Sequence, residues 1–390
     1  MTNQVSENIL YTGIDDLDID LFESQYTVPE GMSYNSWVII DQKIAIMDTA
    51  DARKGQEWLQ NIAETLKGRQ PAYLICHHME PDHSALVAQA MELYPTMTLV
   101  CSQKASQMML NFFHGADLKD RTLNIKEGDT LELGSHTLHF IAAPMVHWPE
   151  VMMSYESTEK VLFAADGFGK FGALCHETED WACEARRYYF NICGKYGAQV
   201  QSVLKKAAKL DIQAICPLHG PVLTDQKMQD AISLYDTWSR YEAETDGVLV
   251  VYASIHGGTA AAAQRMGEIL KAKGAPKVVV SDLSRDDLAE VIEDAFRYPR
   301  ILCCAASYDG GVFPPMHDLL YHLQIKNYQK RTFGLLENGS WAPCAARAMR
   351  SIIETMKECK IVEPVVTITS RMKDSDLQAM EALADALLKG

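Results

Sequence analysis

The spacing of apolar and polar positions changes character near residue 245 of this 390-residue chain. Before that point, short strand-like runs mix with helical ones. Trp37-Val38-Ile39-Ile40, then a polar Asp41-Gln42, then Lys43-Ile44-Ala45-Ile46-Met47 predict two strands around a tight turn. Leu131–Ala142 and Val161–Ala165 read as further strands, and Ala85–Leu93 and a long stretch around Lys205 as helices. This mixture predicts an α+β or layered sandwich. Beyond the acidic Glu242-Ala243-Glu244-Thr245-Asp246, strand-like runs alternate with helical ones. The strands are Val248–Ala253, Lys277–Val280, Ile301–Ala306, Thr332–Leu336 and Pro364–Ile368; Ala260–Lys273 and Ala345–Glu358 are among the intervening helices. Five strands in strict alternation predict a doubly wound parallel sheet. The expected division is 1–245 and 246–390, in keeping with a chain too long for one ordinary core.

Bulk properties narrow the function. The formal net charge is −16, which argues against nucleic-acid and anionic-membrane partners. The amino terminus shows no secretory signal, and no apolar run approaches the roughly 18 residues needed to span a bilayer; a cytoplasmic location is expected. The ten cysteines are scattered, several of them in apolar runs, as reduced core thiols would be. No C-x-x-C pair occurs, which excludes an attached rubredoxin or zinc ribbon.

The chemistry concentrates first in His77-His78-Met79-Glu80-Pro81-Asp82-His83-Ser84, just after the apolar run ending at Cys76. His78, Glu80, Asp82 and His83 offer two nitrogen and two oxygen donors within six positions. One ion would not easily use all four, whereas two neighbouring ions could. His147, Asp166 and His219 each sit just past an apolar strand-like run, where such residues make poor strand and good site material. His77 is off the spacing and reads as a supporting residue. His114, His136, His139, His176, His317 and His322 read as hydrogen-bonded surface residues. Trp148, beside His147, reads as pocket lining or as core.

This pattern resembles the metallo-β-lactamase superfamily motif H-x-H-x-D-H, with Glu80 at the position of the second histidine. A carboxylate there makes the site harder and more anionic and favours iron over zinc. With His147, Asp166 and His219, the set resembles that of the flavodiiron proteins (A-type flavoproteins), end to end. The resemblance implies an N-terminal αββα metallo-β-lactamase-like sandwich followed by a five-stranded flavodoxin-like domain. It also implies that His78, Glu80 and His147 hold one iron, that Asp82, His83 and His219 hold the other, and that Asp166 bridges them.

A second site is expected in the C-terminal region. Ser254-Ile255-His256-Gly257-Gly258-Thr259 links the strand Val248–Ala253 to a helix, and a helix amino terminus favours phosphate. Ser307-Tyr308-Asp309-Gly310-Gly311 follows the third strand, and Glu337-Asn338-Gly339-Ser340-Trp341 follows the fourth. In a sheet of order 2-1-3-4-5, FMN binds at the switch point between strands one and three. No G-x-G-x-x-G occurs, which disfavours a dinucleotide. Against the family pattern, Ala305-Ala306 stands where Ser-Pro is common, and the Glu337–Trp341 loop also departs; both bear on the flavin potential.

The resemblance implies reduction of O2 to water, of NO to N2O, or both. Electrons would come from a separate donor: rubredoxin first, a reduced deazaflavin or an NADH-dependent reductase second. It also implies a head-to-tail homodimer or a dimer of dimers. Two other readings stand at this point. One is a metal-dependent hydrolase with an accessory flavodoxin-like domain; the other is an electron carrier with a degenerate metal site.

Overall fold

A computed structural model of the chain describes residues 3–113, 118–176 and 180–390; His114 lies outside them. The chain forms two compact units. One comprises Met1–Tyr189 with Ala198–Asp236, the other Phe190–Gly197 with Thr237–Gly390.

The first unit contains two six-stranded sheets. One runs Ile9–Tyr11, Trp37–Ile39, Ala45–Met47, Tyr73–Cys76, Thr98–Ser102, Thr122–Ile125 in spatial order; the other runs Thr130–Glu132, Thr137–Ala142, Met152–Glu156, Val161–Phe163, Ala214–Cys216, Leu223–Thr224. The expected turn at Asp41-Gln42 forms, and it registers Trp37 with Met47 and Ile39 with Ala45. Because side chains alternate along a strand, Trp37, Ile39, Ala45, Met47, Ile75 and Val100 share one face. They enter a single core with Leu138, Phe140, Val161, Phe163 and Ala214 of the other sheet. Trp37 and Phe163 meet edge to face across it, centroids 5.6 Å apart. The intervening Val38, Ile46, Leu74 and Leu99 are equally buried. Their face is opposite the sheet–sheet core, so the connecting helices cover it. Gln103–Phe112, for example, contacts Thr98–Ser102 and Thr122–Ile125. The result is the layered αββα sandwich.

Leu131–Ala142, expected as one strand, is a hairpin of two, Thr130–Glu132 and Thr137–Ala142. The break is Gly134, at φ 143°, where a Cβ would lie 2.3 Å from Asp41 Oδ1. Only glycine fits that close approach, and a run that looks continuous by hydropathy turns back there.

The second unit is a parallel sheet in the order Val278–Asp282, Val248–Ala253, Arg300–Tyr308, Thr332–Asn338, with the fifth position on the outer side. This is the 2-1-3-4-5 order of a flavodoxin-like fold. The fifth position, expected as Pro364–Ile368, is filled by two short segments, Lys360–Ile361 and Val366–Ile368, both parallel to Thr332–Asn338. Proline cannot donate to a ladder, so Pro364 falls in the gap between them. Helices Gly258–Ala272 and Leu377–Lys389 cover one face through Val250, Leu302, Leu336, Met266 and Leu383. Pro314–Ile325 and Ala345–Ile353 contact the same strands. The last of these was expected to reach Glu358. It stops sooner, where the Thr355 hydroxyl bonds to the Ile352 carbonyl and Glu358 turns left-handed at φ 56°.

Candidate metal centre and flavin pocket

The seven expected ligands converge because strand ends converge. Tyr73–Cys76 runs parallel to both neighbours, and Val161–Phe163 runs parallel to Ala214–Cys216, so His78, Asp166 and His219 all follow carboxyl ends of parallel strands. His147 comes from the loop joining Thr137–Ala142 to Met152–Glu156. Glu80 immediately precedes the single helical turn Pro81–Ser84, with Pro81 in the first position. The His83 and Ser84 N–H groups donate back to the Glu80 carbonyl, and the Ser84 hydroxyl donates to that of Met79. That wrapped turn is how four donors in six residues reach one pocket.

The donors fall into two groups: His78, Glu80, His147 and Asp166, and Asp82, His83 and His219. In the first, Glu80 Oε2 is 3.3 Å from His78 Nε2 and 3.0 Å from His147 Nε2. In the second, Asp82 Oδ2 is 3.3 Å from His83 Nε2 and 3.2 Å from His219 Nε2. Asp166 touches both. Its Oδ2 lies 3.2 Å from His78 Nε2, and its Oδ1 lies 3.2 Å from His83 Nε2.

His78, His83 and His219 are fully buried, and Asp166 nearly so. Among the described residues, both carboxylate oxygens of Asp82 and Asp166, both ring nitrogens of His83, and His219 Nε2 have no hydrogen-bond partner. An unsatisfied buried polar atom costs about 1–3 kcal/mol. Seven such atoms together cost an amount comparable to the whole stability of a domain, about 5–15 kcal/mol. The arrangement is therefore built around missing partners, and the donors are nitrogen and carboxylate oxygen aimed inward. Burial pushes Asp82 up to about 7, reinforced by Glu80 and Asp166. Burial opposes the charge of Asp166 as well, but His78, His147 and His83 hold its carboxyl well below the usual range. Two cations satisfy all of this, and the mixed imidazole–carboxylate set fits iron.

A second ring of residues orients the first. Glu150 Oε1 accepts from His78 Nδ1 at 2.8 Å and from the Met79 N–H at 2.9 Å. His219 Nδ1 donates to the Ser33 carbonyl at 2.7 Å. Both leave Nε2 facing the pocket. His77 is a supporting residue: its backbone N–H and Nδ1 donate to Asp48, and its Nε2 is 2.8 Å from Ser154 Oγ. Trp148 stands edge-on to His78 at 5.2 Å, lining the centre. Phe22, Tyr34 and Tyr188 surround His219 at 5.4 to 6.0 Å. At the tip of the Leu21–Phe22 and Tyr26–Thr27 hairpin, desolvation and the Glu80 charge push the Glu23 carboxyl up to about 7. No local pattern marks Ser33, Asp48, Ser154 or Tyr188, which arrive from other strands and helices. Glu150 carried a faint signal, an acid three residues after His147.

One expectation fails among the other histidines. His136 is buried, not at the surface; its Nδ1 is 2.7 Å from Asp41 Oδ2 and its Nε2 is 3.1 Å from Glu159 Oε1. His176 is exposed and pairs with Glu30.

In the second unit, a cavity of about 690 Å³ opens at the ends of strands one, three and four. It is lined by Ser254, Ile255, His256, Gly258 and Thr259, by Ser307 through Gly310, and by Asn338 through Trp341. Three of the expected flavin residues do not line it: Gly257, Gly311 and Glu337. The Glu337 side chain turns into the fold, where one oxygen accepts from the Ala346 N–H and the other from the Thr367 hydroxyl. Ala306, Ala342, Cys344, Ser370 and Arg371 also line the cavity and were not anticipated. Ser370 and Arg371 follow the fifth strand, so the rule that ligands sit at carboxyl strand ends could have found them. The cavity suits FMN. Gly257, at φ 83°, opens the loop to the solvent side with nothing within 4 Å of a Cβ position. Trp341, Tyr308 and Ile255, 92, 45 and 41 % exposed, offer apolar surface to a planar ring.

Comparisons with known proteins agree with this geometry. The sequence model described as "ODP family beta lactamase" matches residues 32–220. The chain is 29 % identical to putative diflavin flavoprotein A 2 of Synechocystis sp., over 95 % of this chain and 64 % of that protein. It is 28 % identical to the anaerobic nitric oxide reductase flavorubredoxin of Vibrio vulnificus, over 86 % of this chain and 70 % of that one. The chain thus spans about two thirds of these longer relatives. Among solved structures it resembles rubredoxin oxygen:oxidoreductase from Desulfovibrio gigas (TM-score 0.92, 21 % identity, 99 % of this chain and 97 % of that one). It also resembles the flavodiiron protein of Giardia intestinalis (TM-score 0.88, 22 % identity, 98 and 94 %). A metallo-β-lactamase-like sandwich with a two-group donor pocket, a flavodoxin-like unit in the same chain, and similarity to flavorubredoxin and diflavin flavoprotein together support a flavodiiron protein, an oxidoreductase with a diiron centre and FMN.

Proposed function

We propose that this protein reduces O2 to water, NO to N2O, or both, at two irons in the seven-residue pocket, with FMN relaying electrons from a separate donor such as rubredoxin. The observation that carries the reading is Asp166, whose two oxygens face two different donor groups. A site for one ion has no use for that arrangement. His78, Glu80 and His147 would hold one iron and Asp82, His83 and His219 the other, with Asp166 shared between them. A metal pair held there would supply Lewis-acid polarisation and electrons for a small diatomic, and FMN would supply the electrons to replace them.

The rest is the chain's own work. Three carboxylates offset cationic charge in a buried site. Glu150 and the Ser33 carbonyl fix two imidazoles with Nε2 inward. Phe22, Tyr34, Tyr188 and Trp148 wall the ligands with rings, keeping water from them and leaving an environment suited to an uncharged gas. In the second unit, Ser254 through Thr259 receive the FMN phosphate, and the loops after the third and fourth strands receive the ring.

The name of the Vibrio relative supports NO as a substrate and a rubredoxin-type donor. We assign the metal-binding function to 1–245 and the flavin function to 246–390. The working form is a head-to-tail homodimer or a dimer of dimers, in which one copy's flavin serves another copy's irons; the exposed Trp341, Tyr308 and Ile255 support a covered flavin face. No helix among the described residues is long and apolar enough to cross a membrane. We place the protein in the cytoplasm, with neither nucleic-acid nor membrane partners.

Anaerobic single-turnover kinetics test the reading. The fully reduced protein is mixed with O2 or with NO, and flavin oxidation and products are followed. Rapid oxidation by O2 to water with little peroxide identifies an oxygen reductase, and rapid N2O formation identifies an NO reductase. A protein without iron that neither gas oxidises would overturn the proposal.

A further inference from the structure

The turn after the fifth strand brings a charge to the flavin cavity from a loop outside the three expected to hold the cofactor. Asn338 clamps Ser370 from both sides: its Nδ2 donates to the Ser370 carbonyl at 3.0 Å, and its Oδ1 accepts from the Ser370 N–H at 3.1 Å. The Ser370 and Ser340 hydroxyls are 2.9 Å apart. On the other side, a Cβ on Gly258 would come within 2.3 Å of the Ser370 carbonyl oxygen. The turn is therefore held between the fourth-strand loop and the first residue of the helix Gly258–Ala272. Its next residue, Arg371, lines the same cavity as Ser254, Ile255, His256, Gly258 and Thr259. Arg371 carries the only guanidinium or ammonium among the cavity-lining residues, and no salt bridge engages it among the described residues. A phosphate monoester brings about −1.5 to −2 charge at pH 7. The backbone N–H groups of the phosphate loop supply dipoles but no full charge.

We propose that Arg371 binds the FMN phosphate and so makes this cavity select the mononucleotide over riboflavin. The assignment rests on the FMN reading above. A guanidinium matches phosphate oxygens in a way an ammonium does not. The phosphate end is thus a composite of the first-strand loop and the fifth-strand turn, held in register by Ser370 against Gly258.

The test uses the full-length protein, stripped of flavin with its metal retained, titrated with FMN and with riboflavin at low and at high salt. Arg371→Ala is expected to raise the FMN Kd about tenfold while leaving riboflavin within about twofold, and Arg371→Lys to recover part of the loss. The wild-type preference for FMN should shrink at high salt. Equal losses for both flavins would place Arg371 at the ring or ribityl chain and overturn the assignment, as would an unchanged FMN affinity in Arg371→Ala. A wild-type protein that binds neither flavin would instead sink the cofactor reading, and the assignment with it. Circular dichroism of each variant separates loss of fold from loss of binding.

Discussion

At the scale of single residues, the metal pocket is legible because it is dense. His78, Glu80, Asp82 and His83 stand in one short loop, and that density cannot be mistaken for core or for ordinary turn. Its supporting residues are more telling to test. Glu150→Gln removes the anion behind His78 but keeps a hydrogen-bond acceptor. Replacing such a partner of a ligating histidine typically lowers metal affinity about 10- to 100-fold, and iron retention against a chelator measures the loss. Glu80→His converts the motif to the H-x-H-x-D-H form. The softer donor set should shift the metal bound during expression toward zinc, read as the zinc-to-iron ratio by elemental analysis; an unchanged ratio would show that Glu80 does not decide the metal.

At the scale of elements, the hairpin Thr130–Glu132 with Thr137–Ala142 gives two predictions away from the metals. Asp41 Oδ1, which a Cβ on Gly134 would strike, is itself held by the Gln42 N–H at 2.7 Å and cannot swing aside. Gly134→Ala should therefore destabilise the fold by about 1–3 kcal/mol, the range for strained backbone, visible as a lower Tm. His136 gives the pH dependence. Burial alone would lower its pKa, but the bonds to Asp41 and Glu159 more than reverse that, and the folded value is raised. Its contribution is therefore complete below the unfolded value of about 6.5 and fades as pH rises through the higher folded value. Asp41 shows the opposite sign. Burial opposes its charge, yet the hydrogen bonds from His136 and Gln42 hold its carboxyl far below the usual range. That contribution is present above about 3.9 and fades as pH falls. The stability difference between wild type and His136→Ala, from urea unfolding, should be largest between about pH 4 and 6.5 and narrow on both sides. A difference that grew toward pH 9 would contradict this link.

At the scale of the whole molecule, the two units should answer separately to loss of their cofactors. Removing metal strands Asp82, His83, Asp166 and His219 without partners in the first unit. Metal binding to a folded site adds directly to folding free energy, so chelation should lower the unfolding temperature of the first unit and leave flavin-bound unfolding of the second nearly unchanged. Calorimetry with flavin fluorescence as a second probe distinguishes the two transitions. Equal shifts in both would mean that the units do not unfold independently.

The order of apolar runs and polar breaks by itself determined a mixed or layered first unit and a doubly wound second one, because strands buried on both faces read as short continuous apolar runs and strict alternation with helices is visible along the chain. Donor density marked His78, Glu80, Asp82 and His83 as a site, and His147, Asp166 and His219 stood out as polar residues just past apolar strands. Only the tertiary structure decided what lies behind those donors: Glu150 on His78, Ser33 on His219, and Tyr188 beside them come from segments far apart along the chain, and nothing local marks a residue whose role is set by what it meets across a core. The same reason explains Glu337, which looks like loop and is held inside by Ala346 and Thr367, and Arg371, whose place at the flavin cavity depends on a turn pinned by Asn338 and Gly258. Period and density are properties of a stretch of chain; contact between distant stretches exists only once the chain is folded.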